Sequence, residues 1–287
     1  MSLGLLVSRT ARLGLAGAVA AAVAQLACGG TGPPPHAARS ISRGQGPALT
    51  YETRTLERFE PDCPEAGDSC GRVSLEYPEI TTAPGDEVRK ALNDSIAALL
   101  LEPLDDGTRA ASPEGLAEEF LARNAEARLS LPEGAPSAGW FLERKVRVIH
   151  QDAEVLSLEE TVFWYTGGAH PNTSARLASF DPASGRRLVL EDLLTPGYGP
   201  PLNAIAEHRF RAIRDVPDGQ SLTDAGFWFE DGVFSLNDNF AVADSGLAFH
   251  FDPYEIAPYA LGPTDLVLDR GELGELIRPG GPLDAGQ

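Results

Sequence analysis

Period-two alternation of apolar and polar positions marks the first folded segment. Leu49, Tyr51, Thr53 and Thr55, then Val73, Leu75 and Tyr77, alternate on either side of a turn-rich stretch, which predicts a hairpin beginning near Ala48. The period then changes. After Pro84, Val88, Ala91, Leu92, Ser95, Ile96, Leu99 and Leu100 recur at helical spacing, the stripe of an amphipathic helix of about four turns. Ser112 as N-cap and Pro113 at the first helical position start a second helix, with Leu116, Phe120 and Leu121 as its buried stripe and Pro132 as its end.

Alternation returns from Trp140 to His150 and from Val155 to Tyr165, separated by the polar turn Gln151-Asp152-Ala153-Glu154, which predicts an antiparallel pair. A strand Ala175–Phe180 connects through Asp181-Pro182-Ala183-Ser184-Gly185 to a short strand Arg187–Leu190, because Pro and Gly suit a tight connection there. A helix Leu202–Ile213 follows, then short strands Val233–Leu236, Phe240–Ala243, Leu247–Phe251 and Asp265–Leu268, and a short helix around Glu272–Ile277. Strands and helices fall in separate runs, so the expected class is α+β: a mostly antiparallel sheet with a helical pair inserted after the first hairpin and further short helices.

Composition narrows the function. The 287 residues carry 23 Lys+Arg against 42 Asp+Glu, a net charge of −19, so the positive footprint that grips phosphate backbones is missing and nucleic acid is not an expected partner. The N-terminus has the parts of an export leader: Arg9 and Arg12, an apolar run Leu13–Ala24 too short to span about 30 Å of hydrocarbon, and Ala27 before Cys28. Gln25-Leu26-Ala27-Cys28 resembles a bacterial lipobox, with Leu two residues before the cysteine where three is usual. The expectation is a signal peptide over 1–27 and lipidation of Cys28, which anchors the chain to a membrane; removing Arg9 and Arg12 takes the net charge from −19 to −21. Plain cleavage leaving a free Cys28, and an uncleaved anchor, are the alternatives. Residues 28–47, with Pro33-Pro34-Pro35, read as a flexible tether. Residues 48–279 read as a single domain, with two subdomains meeting near 135–155 as the alternative, and 280–287 as a tail.

If Cys28 carries lipid, Cys63 and Cys70 remain as an even pair across Pro64–Ser69 in an exported protein, and a disulfide is the natural reading, two unpaired thiols the bland one. A zinc knuckle lacks two further soft ligands nearby.

Two segments carry a resemblance. Tyr165-Thr166-Gly167-Gly168-Ala169-His170-Pro171-Asn172, with Phe180-Asp181, Gly185 and Leu188–Leu194, and later Asp244-Ser245-Gly246-Leu247 followed by Phe249–Ala260 with its Pro-Tyr-Glu-Ile-Ala-Pro-Tyr signature, resemble a family of bacterial envelope domains of unknown function. That family includes the extracytoplasmic part of RsiV-type anti-sigma factors and the accessory region of PdaC-type polysaccharide deacetylases. The Cys63–Cys70 segment with Tyr77-Pro78 fits its lipoprotein branch. The resemblance spans about residues 48 to 279 and implies an envelope-facing sensing or binding domain of α+β fold without an agreed activity.

Catalytic equipment is not legible. No His-x-x-x-His, His-Glu-x-x-His, phosphate-loop or dinucleotide motif occurs, and no cofactor is expected. Among 42 acidic residues any carboxylate pair can be proposed for glycan hydrolysis, so none is informative.

The candidate ligand-facing residues are Gly167, Gly168 and His170 after one strand, and Tyr254, Glu255 and Tyr259 in the Pro253–Tyr259 segment. Both segments are irregular stretches at ends of apolar strands, where a rigid sheet positions binding groups. They are expected to lie side by side. The alternative is a bulged turn whose histidine bonds neighbouring backbone. His250 and Asp252 share a strand face at metal-ligand spacing, although such a lone pair is more often hydrogen-bonded structure. Phe227, Trp228, Phe229, Phe234, Phe240, Phe249 and Phe251 read as core, with a carbohydrate-stacking face as the rarer use. The expected function is a non-catalytic sensing or binding domain for an envelope protein, such as a cationic wall hydrolase steered by the negative charge, or for wall glycan. An enzyme acting on wall glycan and a purely structural envelope protein are the rivals.

Overall fold

The computed structural model describes residues 49–61, 70–104, 109–132 and 138–284. Cys28 and Cys63 lie outside the described residues, as do the leader and the tether; Cys70 is buried. Strands β1 (Thr50–Phe59), β2 (Arg72–Thr82), β3 (Phe141–Gln151), β4 (Leu156–Tyr165) and β5 (Asn172–Phe180) form a sheet in that spatial order. Every neighbouring pair is antiparallel except β2 and β3, which run parallel. The parallel step follows from the insertion: α1 (Asp86–Leu100) and α2 (Pro113–Leu129) carry the chain back across the sheet before β3 begins.

Both helices form for the reasons their sequences offer. In α1 the buried line is Leu92, Ile96 and Leu100, at four-residue spacing. In α2 Ser112 Oγ accepts the Gly115 N–H at 3.1 Å with Pro113 inside the first turn. The buried line of α2 is Ala117, Phe120 and Asn124, with Leu116 and Leu121 half-buried beside it. Asn124 is polar yet fully buried because it is hydrogen-bonded: Oδ1 accepts the Trp140 N–H and Nδ2 donates to Glu60, whose carboxylate also takes the Gly71 N–H and the Arg128 guanidinium.

A second sheet of β6 (Phe240–Val242), β7 (Gly246–Phe251) and β8 (Thr264–Asp269) is wholly antiparallel. Short helices α3 (Leu190–Leu193) and α5 (Arg270–Leu273) and the longer α4 (Gly199–Ile213) pack with it. Gly246 is required by close approach, because a Cβ there would sit 2.0 Å from the Leu268 carbonyl oxygen. The α+β class is as expected. Two expected strands are absent. Arg187–Leu190 is reduced to one bridge between Phe180 and Arg187 before the chain turns into α3, and Val233–Leu236 is irregular, its Leu236 N–H taken by the Asn203 side chain.

The apolar residues form two clusters. One, drawn from residues 49 to 180, lies between the first sheet and α1 and α2; the other, drawn from 188 to 283 with Val155, fills the second region. The junction runs along β5, whose outer edge meets side chains where a strand would otherwise pair. Asp252 Oδ1 accepts the Ala175 N–H at 2.8 Å. Asn239 accepts the Leu177 N–H at 2.7 Å through Oδ1 and donates through Nδ2 to the Ala175 carbonyl at 2.8 Å, as a strand backbone would. Ser179 Oγ accepts the Val242 N–H at 2.8 Å. An otherwise open sheet edge is thereby satisfied and covered.

Candidate functional site

The two irregular segments lie side by side. Gly167 and Gly168 have φ of 94° and 103°, a conformation that favours glycine, and the turn they make is tied down where the Tyr165 hydroxyl donates to the Gly168 carbonyl at 3.0 Å. The chain then delivers His170 against Tyr259, with ring centroids 4.0 Å apart and planes 22° from parallel. The Tyr259 hydroxyl donates to the Pro171 carbonyl at 2.9 Å, which locks the second segment onto the first. Tyr254 stands beside Tyr259 at 5.5 Å, is 56% exposed, and has a positive φ of 69°. A non-glycine residue holds that strained conformation only where its surroundings impose it, and here Glu255 does so: Oε2 accepts the Asp252 N–H at 2.8 Å and Oε1 accepts from Asn237 at 2.7 Å.

Trp228 extends this ridge. Its indole N–H donates to the Glu255 carbonyl at 3.0 Å and the ring is 47% exposed, whereas Phe227, Phe229, Phe234, Phe240, Phe249 and Phe251 are all buried. The aromatic set is therefore core with Trp228 as its departure. Tyr254, Tyr259, Trp228 and His170 make a surface of flat rings, and the polar atoms of Tyr259, Trp228 and His170 are anchored to backbone, an arrangement that presents apolar faces at little conformational cost. Of the expected residues, Gly167, Gly168, His170, Tyr254 and Tyr259 meet at this ridge; Glu255 holds its turn, both carboxylate oxygens already engaged within the fold.

Next to the ridge is an open groove of about 370 Å³ lined by Arg176 and Arg187 on one wall and Asn237, Asp238, Asn239, Asp252 and Glu255 on the other. Pattern reading missed Arg176, Arg187 and the Asn237-Asp238-Asn239 run. Three consecutive side chains rich in donors and acceptors before an apolar strand were the available signal.

His250 and Asp252 are hydrogen-bonded structure. Nδ1 of His250 lies 2.7 Å from Asp265 and Nε2 lies 3.1 Å from Asp252. Burial opposes the imidazolium, but the two carboxylates outweigh it and hold the pKa up at about 9, so both ring nitrogens carry protons and neither has a lone pair for a metal. His150 repeats the device between Asp152 and Asp244, which also raises its pKa. No group of three metal-ligating side chains occurs among the described residues, and no helix among them is long and apolar enough to cross a membrane.

Two family models match, one after the other. The model described as "Deacetylase PdaC" covers residues 65–173, and that described as "Protein of unknown function (DUF3298)" covers 191–270. Solved structures share the architecture: a DUF3298 family member from Bacteroides fragilis superposes with a TM-score of 0.64 at 18% identity over 84% of this chain and 98% of that one. A DUF3298 family protein from Pseudomonas aeruginosa gives 0.63 at 21%, over 81% and 95%. The fold is therefore that of the DUF3298 structures. Among sequences, the chain is 22% identical over 134 residues to the peptidoglycan-N-acetylmuramic acid deacetylase PdaC of Bacillus subtilis, covering 46% of this chain and 28% of that protein. It is 27% identical over 117 residues to the immunogenic protein MPT64 of Mycobacterium tuberculosis, covering 40% and 49%. The chain thus spans half or less of the length of these relatives.

Proposed function

We propose that this chain is an exported, lipid-anchored, non-catalytic domain that binds the glycan of the cell wall. The single observation behind this reading is the ridge of Trp228, Tyr254, Tyr259 and His170, exposed at Trp228 and Tyr254 and tied to backbone at Trp228 and Tyr259, beside a polar groove. Sugar rings present apolar C–H faces that stack on such side chains and hydroxyls that seek neighbouring polar groups. The likeness of residues 65–173 to the PdaC model, and of part of the chain to a peptidoglycan deacetylase, supports a setting at the wall. Attachment through Cys28, which needs more than one acyl chain to be stable, and a Cys63–Cys70 disulfide belong to the same reading.

The test is cosedimentation of the mature chain with purified peptidoglycan. The wild type should pellet, and Tyr254→Ala and Trp228→Ala should each weaken binding by about tenfold, the effect of losing one stacking anchor of roughly 1–1.5 kcal/mol. Equal pelleting by correctly folded variants would overturn the reading. The charge of −19 favours a second one, a basic envelope protein held by long-range attraction. Stacking on glycan persists in high salt, whereas attraction between exposed charges is screened, so the salt dependence of capture separates the two.

A further inference from the structure

We infer that the groove beside the aromatic ridge binds a zwitterionic group, the free carboxylate and free ammonium of a short peptide, with the carboxylate on Arg176 and Arg187 and the ammonium on Asp238 and Asp252. This deepens the wall-binding reading and rests on it only for the source of the peptide.

The two walls carry opposite charge and are held at fixed separation. On the β5 side, the Arg187 side chain runs back along the strand edge until Nη2 is 3.4 Å from the Leu177 carbonyl, one residue from Arg176. Arg176 is 58% exposed and lies 3.9 Å from Glu160 and 4.0 Å from Glu102, with no hydrogen bond to either. Both guanidiniums therefore keep N–H donors in the fork geometry that matches a carboxylate. On the opposite wall Asp238 is exposed, and Asp252 has only its Oδ1 engaged, by the Ala175 N–H and His250; among the described residues Oδ2 accepts nothing. Asn239 bonds both the N–H of Leu177 and the carbonyl of Ala175, so the cationic and anionic walls are clamped together by backbone.

Selectivity follows from this pairing. A simple anion meets the carboxylates of Asp238, Asp252 and Glu255, a simple cation meets two guanidiniums, and a ligand with both charges satisfies each wall. A volume of about 370 Å³ falls at the small end of ligand sites and suits one or two amino-acid residues.

The experiment titrates three probes into the mature chain, followed by amide chemical shifts: alanyl-alanine with free ends, its C-terminal amide, and its N-acetyl derivative. The free dipeptide should bind saturably with shifts centred on Ala175, Leu177 and Asn239, and each blocked form should bind about tenfold more weakly, the loss of one charge-assisted contact. Arg187→Gln should erase the preference for the free carboxylate and Asp238→Asn the preference for the free ammonium; both residues are exposed, so folding is retained. Equal affinity for all three probes, or no saturable shifts at the groove, overturns the proposal. A chain that pellets with peptidoglycan but ignores the dipeptide refutes the groove alone. One that binds the dipeptide but does not pellet refutes the glycan reading and leaves the groove standing.

Discussion

Around the five-stranded sheet the core is aliphatic apart from Phe120 and Phe180 and contains a buried Arg–Glu pair, whereas around the three-stranded sheet the aliphatic residues surround seven buried phenylalanines. In the first region Arg144 and Glu160, on adjacent strands, are both almost wholly buried, with Arg144 Nε 3.2 Å from Glu160 and Nη1 donating to the carbonyls of Leu100 and Glu102 past the end of α1. In the second, Phe210 sits among Phe227, Phe229 and Phe234 at centroid distances of 4.9, 5.5 and 5.2 Å. The family matches divide at nearly the same place as the two apolar clusters. Long strand ladders of nine to eleven residues order the first region, and they leave room for a polar inclusion that positions a helix end. Strands of three to six residues supply fewer ladder bonds, so the second region depends on ring packing.

The sharpest way to break this comparison is Phe210→Ala. Phe210 is fully buried, and removing its ring should cost about 4 kcal/mol, transfer and cavity terms together. Denaturant unfolding gives the size, and amide exchange gives its distribution: β7 and β8 should lose protection while the β3–β4 ladder keeps most of its own. Equal loss in both regions would show that the aromatic core supports the whole molecule.

Arg144→Met asks the converse of the first region. It leaves Glu160 buried without its nearest cation and removes the donor from two carbonyls, a loss of about 3 kcal/mol. Burial already pushes the Glu160 carboxyl up to about 7, against the pull of Arg144 and Arg176. A folded pKa above the unfolded 4.5 means that this group favours folding below pH 4.5 and ceases to do so as pH rises through 7. Loss of Arg144 raises that pKa further, so the deficit of Arg144→Met should grow from acid to alkaline pH in melting experiments. The double variant Arg144→Met/Glu160→Leu should recover part of it; a double no more stable than the single would show that the helix-end hydrogen bonds, not the pair, carry the energy.

These contrasts also explain what the sequence made legible. Helices α1 and α2 were readable because their apolar spacing, the Ser112 cap and Pro113 are local signals. The long strands were readable by alternation. The strand expected at Arg187–Leu190 failed because its neighbour, the edge of β5, is occupied by Asn239 and Asp252 from more than fifty residues away, and no local pattern reports that competition. The ridge was legible in part, since His170 and Tyr259 sit on irregular stretches at strand ends. Trp228 was hidden in an apolar run that looks uniformly buried, and the groove was hidden because its walls come from β5 and from the segment before β6.

The junction itself gives the smallest expected effect and the most direct link between the regions. His250 holds Asp265 on β8 and Asp252 at the end of β7, and Asp252 in turn holds the Ala175 N–H on β5. Burial disfavours its charge, the two carboxylates favour it more, and the result is a pKa of about 9 against 6.5. Because the folded state binds the proton more tightly, this contribution is complete below pH 6.5 and is lost as pH rises through 9. Asp265 is 79% exposed, so solvent screens part of the attraction and about 2 kcal/mol is the expected size. Glu160 has completed its change by the upper half of this window, which leaves the raised histidines, His250 and His150, as the groups that change between about pH 8 and 10, and Asp265→Asn picks out His250. Stability measured across that range should fall in the wild type, and Asp265→Asn should flatten the decline by bringing the His250 pKa down. The amides of Ala175 and Val242, donors across the junction, should lose protection before those of the β3–β4 ladder. An undiminished slope in Asp265→Asn would place the titrating group elsewhere and leave His250 without a part in joining the two regions.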